Sequence, residues 1–597
     1  MCISIVRAIP VPMTRSFGIA LLWLLASASL AGAPEQPWVT QSNEFAQIPL
    51  AVFARYFPED AGEIGITGAD REIFDLRPHV YERYIADTRR AAESLRAKVP
   101  ETNDSRLLQD LEIMIKAEND AATTAELRRR LLLEHIDVGQ IEFNGIRVLL
   151  SPQIPKERQA AALVRLRRYA GLEPGTVPLT RLAINQTEER LAVPGLVGPY
   201  VNEVKKALDD SKHYAAGIRD LFANSGLDGW QEPVAVLDAQ LREYGDWVRA
   251  NVLPRCRATN QLPREIYADD LKQVGVDVAP ETLIPQAQFS FAEIQNQLAS
   301  IAAQVAKQRG LPSSDYRDVL RELKKQRITD DAVLKFFQSR LAEIEAIIVR
   351  ERIVTLPDRK ASIRLATTAE TAQIPSAHMV APRMIGNTGE YGEFVLPLSL
   401  PGEAGDESLR LDDETNDPGS WTLTAHEARP GHELQYASMV EQGISIARAV
   451  FADNSVNSEG WALYAEAEIQ PYEPLEGQLF ALQWRLARAA RAFLDPMLNL
   501  GLTTPERAAA VLRDDVVLSK GQVKQEIDRY TFWAPGQATS YYYGYMRLME
   551  LRAQTELELG ERFDRKKFND FVLSQGVLPP ALIKKAVETE FIPRERR

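Results

Sequence analysis

Cysteine is nearly missing: the chain has two in 597 residues, Cys2 and Cys256. A disulfide framework is therefore excluded, and a chain that loses its first residues would keep Cys256 alone, with no partner for an internal bridge. An excess of positive charge is missing too. Lys and Arg number 70 against 83 Asp and Glu, for a formal net charge of -13 and a pI near 5.3. Nucleic acid and anionic membrane are poor partners for such a surface, because both select a basic footprint. Histidine is scarce, with six residues in all. Internal repeats and low-complexity tracts are absent. The remainder is ordinary for a soluble protein, 45% hydrophobic and 26% charged.

The apolar runs are short as well, and the one at the N-terminus is the most informative. Arg7 and Arg15 precede Phe17–Leu25, and small residues follow from Ala26 to Ala33. A basic start, a short apolar core and a small-residue zone form the pattern of a secretory signal peptide. The core falls short of the ~20 residues a membrane span needs. Cleavage after Ala31 is favoured over Ala33, where Pro34 would sit just past the cut, and Met13 is an alternative start. The expectation is a signal over 1–31 and a periplasmic or secreted mature chain without an integral span. No Cys follows the apolar run closely enough to suggest lipid modification.

Most of the mature chain has helical periodicity. Phe291, Ile294, Leu298, Ile301 and Val305 fall on one stripe with Gly310 as a stop. Thr329 or Asp330 opens a second stripe through Val333, Phe337, Leu341, Ile344 and Ile348. Helices are also expected around 107–114, 127–133, 479–494 and 544–559. Residues 375–400 break the pattern with Pro375, Pro382, Gly386, Gly389, Gly392 and Pro397 around Glu393–Leu398. That reads as a loop with a short strand or hairpin, and Pro397 argues for an edge position. The acid-rich stretch 401–420 reads as a solvated surface loop, with a lid as the alternative. The fold class is mainly α, one helical domain over 32–597, with room for two lobes around a deep cleft and a short hairpin or edge strand near the active site.

The chemistry centres on Thr422–Gln435, which contains His426-Glu427 and Pro430-Gly431-His432. Zinc hydrolases commonly draw two His from one helix four residues apart, with the Glu after the first as base. Here the spacing is six, which on a regular helix leaves the rings about 120° apart. Pro430-Gly431 supplies the remedy, since Pro removes a helix hydrogen bond and Gly accepts unusual backbone angles. A bland alternative makes both His ordinary polar residues near a helix end, but two of six His beside Glu is no casual cluster. A third ligand is offered by Asn457–Glu466, where Glu459 and Glu466 lie seven apart on one helical face amid Trp, Ala and Leu. Carboxylates there are costly unless they meet a cation. Glu459 is the expected ligand. Glu466 either orients a ligand or pairs with Arg485, Arg488 or Arg491. Downstream, Tyr541-Tyr542-Tyr543 could supply an oxyanion donor or simply pack.

The order His-Glu-x-x-Pro-Gly-His-x-x-Gln, Glu-Gly-Trp-Ala-Leu-Tyr-x-Glu, Pro-Gly-Gln-Ala-x-x-Tyr-x-x-Gly and Leu-Arg resembles the bacterial domain-of-unknown-function family 885, over roughly 375–590. That family looks like a distant relative of helical zinc peptidases of the carboxypeptidase Taq and thimet oligopeptidase kind. The resemblance implies His426, His432 and Glu459 as zinc ligands, Glu427 as base and Tyr541 as the relevant tyrosine. It also marks Gln435, Gln537 and Arg552, and Glu526 with Arg529, which a structural ion pair explains equally well. One departure stands out: where the family shows Asp-x-Gly-x-His, this chain has Asp495-Pro-Met-Leu-Asn499, so that Asn499 could substitute as a neutral donor or activity could be altered. The implied function is zinc-dependent cleavage of a peptide substrate. The alternatives are a silent peptide-binding pseudoenzyme and a zinc amidase or endopeptidase acting on cell-wall peptides.

Overall fold

The computed structural model describes residues 36–401 and 410–597. The expected signal segment and part of the acid-rich stretch lie outside the described residues. Helices dominate, and several open on proline, as at Pro37, Pro58, Pro280, Pro418 and Pro505, where the missing N–H costs nothing. The stripe from Phe291 belongs to Pro280–Arg309, which stops at Gly310 in the left-handed conformation (φ 64°). The second stripe is Asp330–Arg350, entered from Thr329. The two short helices expected around 107–114 and 127–133 are one, Ser105–Leu131; alanines and polar residues between them bridge the apolar patches without a breaker.

Among the described residues, three large cores carry most of the packing. Phe143, Leu166, Tyr214 and Phe222 fill a bundle in the N-terminal half. Pro280–Arg309 packs along Leu475–Asn499 through Ile294, Leu298, Leu479 and Leu486. The third core mixes chain halves, joining Leu50, Leu111 and Met114 to Leu434, Trp461, Phe568 and Phe591. No helix among the described residues is long and apolar enough to cross a membrane.

A three-stranded sheet interrupts the helices: β1 (Ser362–Leu365), β2 (His378–Val380) and β3 (Glu393–Leu396), ordered β1-β3-β2. β1 runs parallel to β3 and β2 antiparallel to it. The hairpin expectation is met by β2 and β3, but the edge assignment is corrected, because β3 is the buried central strand. Pro397 lies one residue beyond the last ladder pair, Leu365 with Leu396, so its missing N–H breaks no bond. The solvated-loop reading of 401–420 also needs correction where it is described. Asp413 and Glu414 are buried, and accept hydrogen bonds from the backbone N–H of Ser519 (2.8 Å) and Ala377 (3.1 Å).

Candidate metal centre

The helix Asp417–Glu427 carries the first histidine. Its cap is Asn416: the extended Asn416 accepts from Gly419 N–H at 2.8 Å, while Asp417 and Ser420 are engaged by Arg340. The helix stops at Glu427. Ala428 leaves the helical region (φ −102°, ψ −103°), Gly431 does so again (φ −75°, ψ −132°), and a new helix starts at His432. A Cβ on Gly431 would lie 1.9 Å from the carbonyl oxygen of His426 and 2.4 Å from that of Ala425, so only glycine lets the chain fold back this closely. Trp461 Nε1–H donates to the Pro430 carbonyl at 3.0 Å, and Arg429 pairs with Glu433 and Glu345 at 2.6 and 2.8 Å. The break brings the two imidazoles face to edge, centroids 4.8 Å apart.

The helix Ser455–Ile469, capped by Asn454, supplies the carboxylates. Glu459 Oε2 lies 3.4 Å from His426 Nε2 and 3.2 Å from His432 Nε2. All three residues are buried, with one donor atom from each within 4.8 Å of the others. Donors at zinc-ligand distances in tetrahedral array sit about 3.3 Å apart, so two imidazole nitrogens and one carboxylate oxygen fit a divalent ion. Seven residues on, Glu466 accepts from His426 Nδ1 at 2.7 Å, Thr422 Oγ1 at 2.8 Å and Arg488 Nη2 at 3.1 Å. Glu466 thus does both things weighed from the sequence, pairing with an arginine and fixing His426. With Nδ1 donating, Nε2 presents its lone pair to the centre. Burial opposes charge on His426, but the Glu459 and Glu466 carboxylates outweigh it and raise its pKa. Against the same desolvation, His432 and His426 hold Glu459 well below the usual carboxylate range.

Glu427 is buried beside this group, 4.0 Å from His426 Nε2. Tyr541 enters from the helix Thr539–Leu559, its ring parallel to His426 at 6.0 Å. That helix can come so near because it crosses Ser455–Ile469 glycine on glycine: a Cβ on Gly544 would meet the Val456 carbonyl at 2.0 Å, and one on Gly460 the Gly544 backbone at 2.6 Å. Arg529 Nη2 donates to the Tyr541 hydroxyl at 2.6 Å, and its Nε to Gln537 Oε1 at 3.0 Å. Gln537 Nε2 in turn donates to Ser455 Oγ at 2.9 Å and reaches Glu459 Oε1 at 3.4 Å. Burial pushes the Tyr541 pKa up to about 12, against the pull of Arg529 and Arg491, so the phenol is a proton donor at neutral pH.

The other marked residues stand back from the cluster. Gln435 donates to Asn457 Oδ1 at 2.9 Å. Arg552 ties Tyr464 and Glu468 to its own helix. Asn499 Nδ2 donates to the carbonyls of Asp495 and Tyr530, each at 3.0 Å, while Asp495 receives Gly536 N–H at 2.9 Å. That element holds the turn that presents Gln537. Glu526 forms a buried pair with Arg491 at 2.9 Å, whereas Arg529 serves Tyr541. Sequence reasoning passed over His378 on β2, a buried imidazole whose Nδ1 bonds the Ser376 carbonyl at 2.9 Å and whose pKa burial lowers. The rarity of His, beside a β-patterned His-Met-Val, was the available signal.

Two solved structures share the fold. One is a putative lipoprotein from Colwellia psychrerythraea, at TM-score 0.75 and 19% identity over 93% of this chain and 99% of that one. The other is a putative lipoprotein of unknown function from Shewanella oneidensis, at TM-score 0.69 and 18% identity over 93% and 100%. No curated protein matches. The family model described as bacterial protein of unknown function matches residues 58–587, and the chain belongs to that family, DUF885.

Proposed function

We propose that the protein is an exported zinc-dependent peptidase, with His426, His432 and Glu459 as ligands. The observation that carries this reading is the convergence of both Nε2 atoms on one Glu459 oxygen at tetrahedral ligand spacing, with His426 oriented from behind by Glu466. Export rests on the signal-like N-terminus and on the description of both solved relatives as lipoproteins.

Zinc bound here would polarise the scissile carbonyl and ready a water for attack at neutral pH. Glu427 takes the proton of the attacking water and passes it to the leaving amine. Tyr541 donates a hydrogen bond to the oxygen that gains charge as the carbonyl becomes tetrahedral. Arg529 holds the phenol in place from the other side, so that its proton points away from the arginine. Gln537 fixes the far oxygen of Glu459.

Glu427→Gln keeps size and hydrogen bonding but removes the base, which typically contributes about 10²–10⁴-fold. The variant should retain zinc and peptide affinity and lose turnover by that factor on a mixed peptide pool, while His432→Ala should lose the metal. Full zinc in His432→Ala, by elemental analysis, would remove the ligand assignment. Equal binding with no cleavage by either wild type or Glu427→Gln would make the protein a binder instead.

A further inference from the structure

Gln537 stands between Glu459 and Tyr541. Its amide Oε1 accepts Arg529 Nε at 3.0 Å and also Arg529 Nη2, the nitrogen that donates to the Tyr541 hydroxyl at 2.6 Å. Its Nε2 donates to Ser455 Oγ at 2.9 Å and reaches Glu459 Oε1 at 3.4 Å. One amide therefore meets the carboxylate on one side and, through a single guanidinium, the phenol on the other. Gln537, Ser455 and Ser540 are all buried, so bulk water does not compete for these bonds.

The orientation of the amide is determined twice. A guanidinium only donates, so the atom that faces Arg529 is the oxygen. The serines give the same answer by a separate route. Ser540 Oγ spends its one proton on the Gln537 main-chain carbonyl at 2.6 Å, because a carbonyl only accepts. Ser540 must then accept from Ser455 Oγ, 2.6 Å away, which uses the one proton of Ser455. Ser455 Oγ is left as the acceptor, and the Gln537 atom facing it is the nitrogen. The ring closes on Gln537 itself, from side-chain amide to Ser455, to Ser540, to the main-chain carbonyl.

The placement of the serines gives the ring its leverage. Ser455 opens the helix Ser455–Ile469 one turn before Glu459, and Ser540 directly precedes Tyr541 on Thr539–Leu559. The ring thus ties together the N-terminal ends of the two helices. Gln537 takes Glu459 Oε1, which leaves Oε2 as the oxygen 3.4 and 3.2 Å from the Nε2 atoms of His426 and His432. Groups that orient a metal ligand in this way typically change metal affinity about 10–100-fold when removed.

We propose that Gln537, its amide locked by Ser455 and Ser540, is a positioning residue shared by Glu459 and Tyr541. It turns one carboxylate oxygen toward the two imidazoles and, through Arg529, holds the phenol over the same point. The inference rests on the metal reading for the first role and on the peptidase reading for the second.

The test uses the full mature protein with Gln537→Leu, which keeps the bulk and removes every hydrogen bond of the amide. Zinc affinity is read by competition with a chromophoric chelator, and kcat at saturating zinc on a mixed peptide pool. Zinc binding should weaken about 10–100-fold. The fall in kcat should be much smaller when Tyr541→Phe is already present, because the amide acts on turnover through that hydroxyl. The loss of zinc affinity should be the same in both backgrounds. A merely structural role would lower the melting temperature and leave the zinc affinity of the folded protein unchanged. If Gln537→Leu does not fold, Ser455→Ala carries the test. Zinc affinity should then fall about 3–10-fold, the scale of one hydrogen bond, and Ser455→Thr, which keeps the hydroxyl, should restore it. Wild-type zinc affinity in the folded variant overturns the proposal, as does an equal loss of kcat with and without the Tyr541 hydroxyl. The two readings fail separately. Cleavage with unchanged zinc affinity leaves the peptidase and removes the shared amide. Zinc affinity that depends on Gln537, in a protein that cleaves nothing, keeps the positioning of Glu459 and removes the peptidase.

Discussion

The Tyr541 hydroxyl accepts from Arg529 and keeps its own proton to give, and the ring lies flat against His426. Tyr541→Phe removes only that oxygen. Turnover should fall about 10–1000-fold, as for other oxyanion donors, with zinc content and melting temperature unchanged; undiminished kcat would reduce the tyrosine to a packing role. His135 offers a pH-dependent test of a different kind. Burial pushes this imidazole down to about 4, whereas an unfolded chain protonates it near ~6.5. Between those values the unfolded state binds the additional proton, so the residue's effect on stability is nil above about 6.5 and grows unfavourable as pH falls toward 4. The total is bounded at roughly 3 kcal/mol. His135→Gln should therefore gain stability relative to wild type between about pH 7 and pH 4.5 in denaturant titrations. A wild-type-to-variant difference that stays constant over that span would show that His135 titrates alike in both states.

Helices place these side chains, and their close approach depends on glycines. At the crossing of Ser455–Ile469 with Thr539–Leu559, a methyl on Gly544 meets the backbone of Val456 and Gly460, which no rotamer change can relieve. Gly544→Ala should cost about 1–3 kcal/mol, as forced overpacking does, and should also reduce turnover, because Tyr541 and Glu459 sit on the two helices that must part. Leu557→Ala, on the same helix but 85% exposed, is the control and should change neither. A Gly544→Ala protein with wild-type midpoint and turnover would mean that the crossing tolerates separation. The same elements show what a sequence makes readable. The break at Pro430-Gly431 was legible because a six-residue His spacing demands it and two helix-breaking residues provide it. Glu459 and Glu466 were legible because carboxylates on an apolar helix face are expensive. The edge position given to β3 failed, since Pro397 could report only that pairing ends there, while the flanking strand β1 lies 31 residues upstream of its partner in register. The burial of Asp413 and Glu414 was hidden for a similar reason: their partners Ser519 and Ala377 are distant in sequence.

Across the whole molecule, one fully buried carboxylate is among the groups that tie the N-terminal half to the motif-bearing half. Asp110, on the helix Ser105–Leu131, accepts from Ser42 Oγ at 2.7 Å, Ser445 Oγ at 2.6 Å and Arg448 Nε at 2.8 Å. Around it, Leu50, Leu111 and Met114 share a core with Leu434 and Trp461. Leu434 lies two residues past His432 and Trp461 two past Glu459, so the helices that carry the His–His–Glu group rest on N-terminal residues. A site built in this way should not melt by halves. Wild-type protein is expected to unfold in urea through one transition, seen alike by tryptophan fluorescence and by far-ultraviolet dichroism. Asp110→Ala would leave the Arg448 guanidinium buried without its carboxylate, with Gln109 at 2.8 Å as a neutral remnant. Breaking a buried pair from one side costs about 3–5 kcal/mol, so the midpoint should drop sharply while the transition stays single. Zinc content and turnover per folded molecule should hold at low denaturant, because Asp110 touches no group at the metal centre. If Asp110→Ala instead unfolds in two steps, with the N-terminal bundle lost first and the zinc retained, the halves are separable. The metal centre would then owe its rigidity to the C-terminal helices alone.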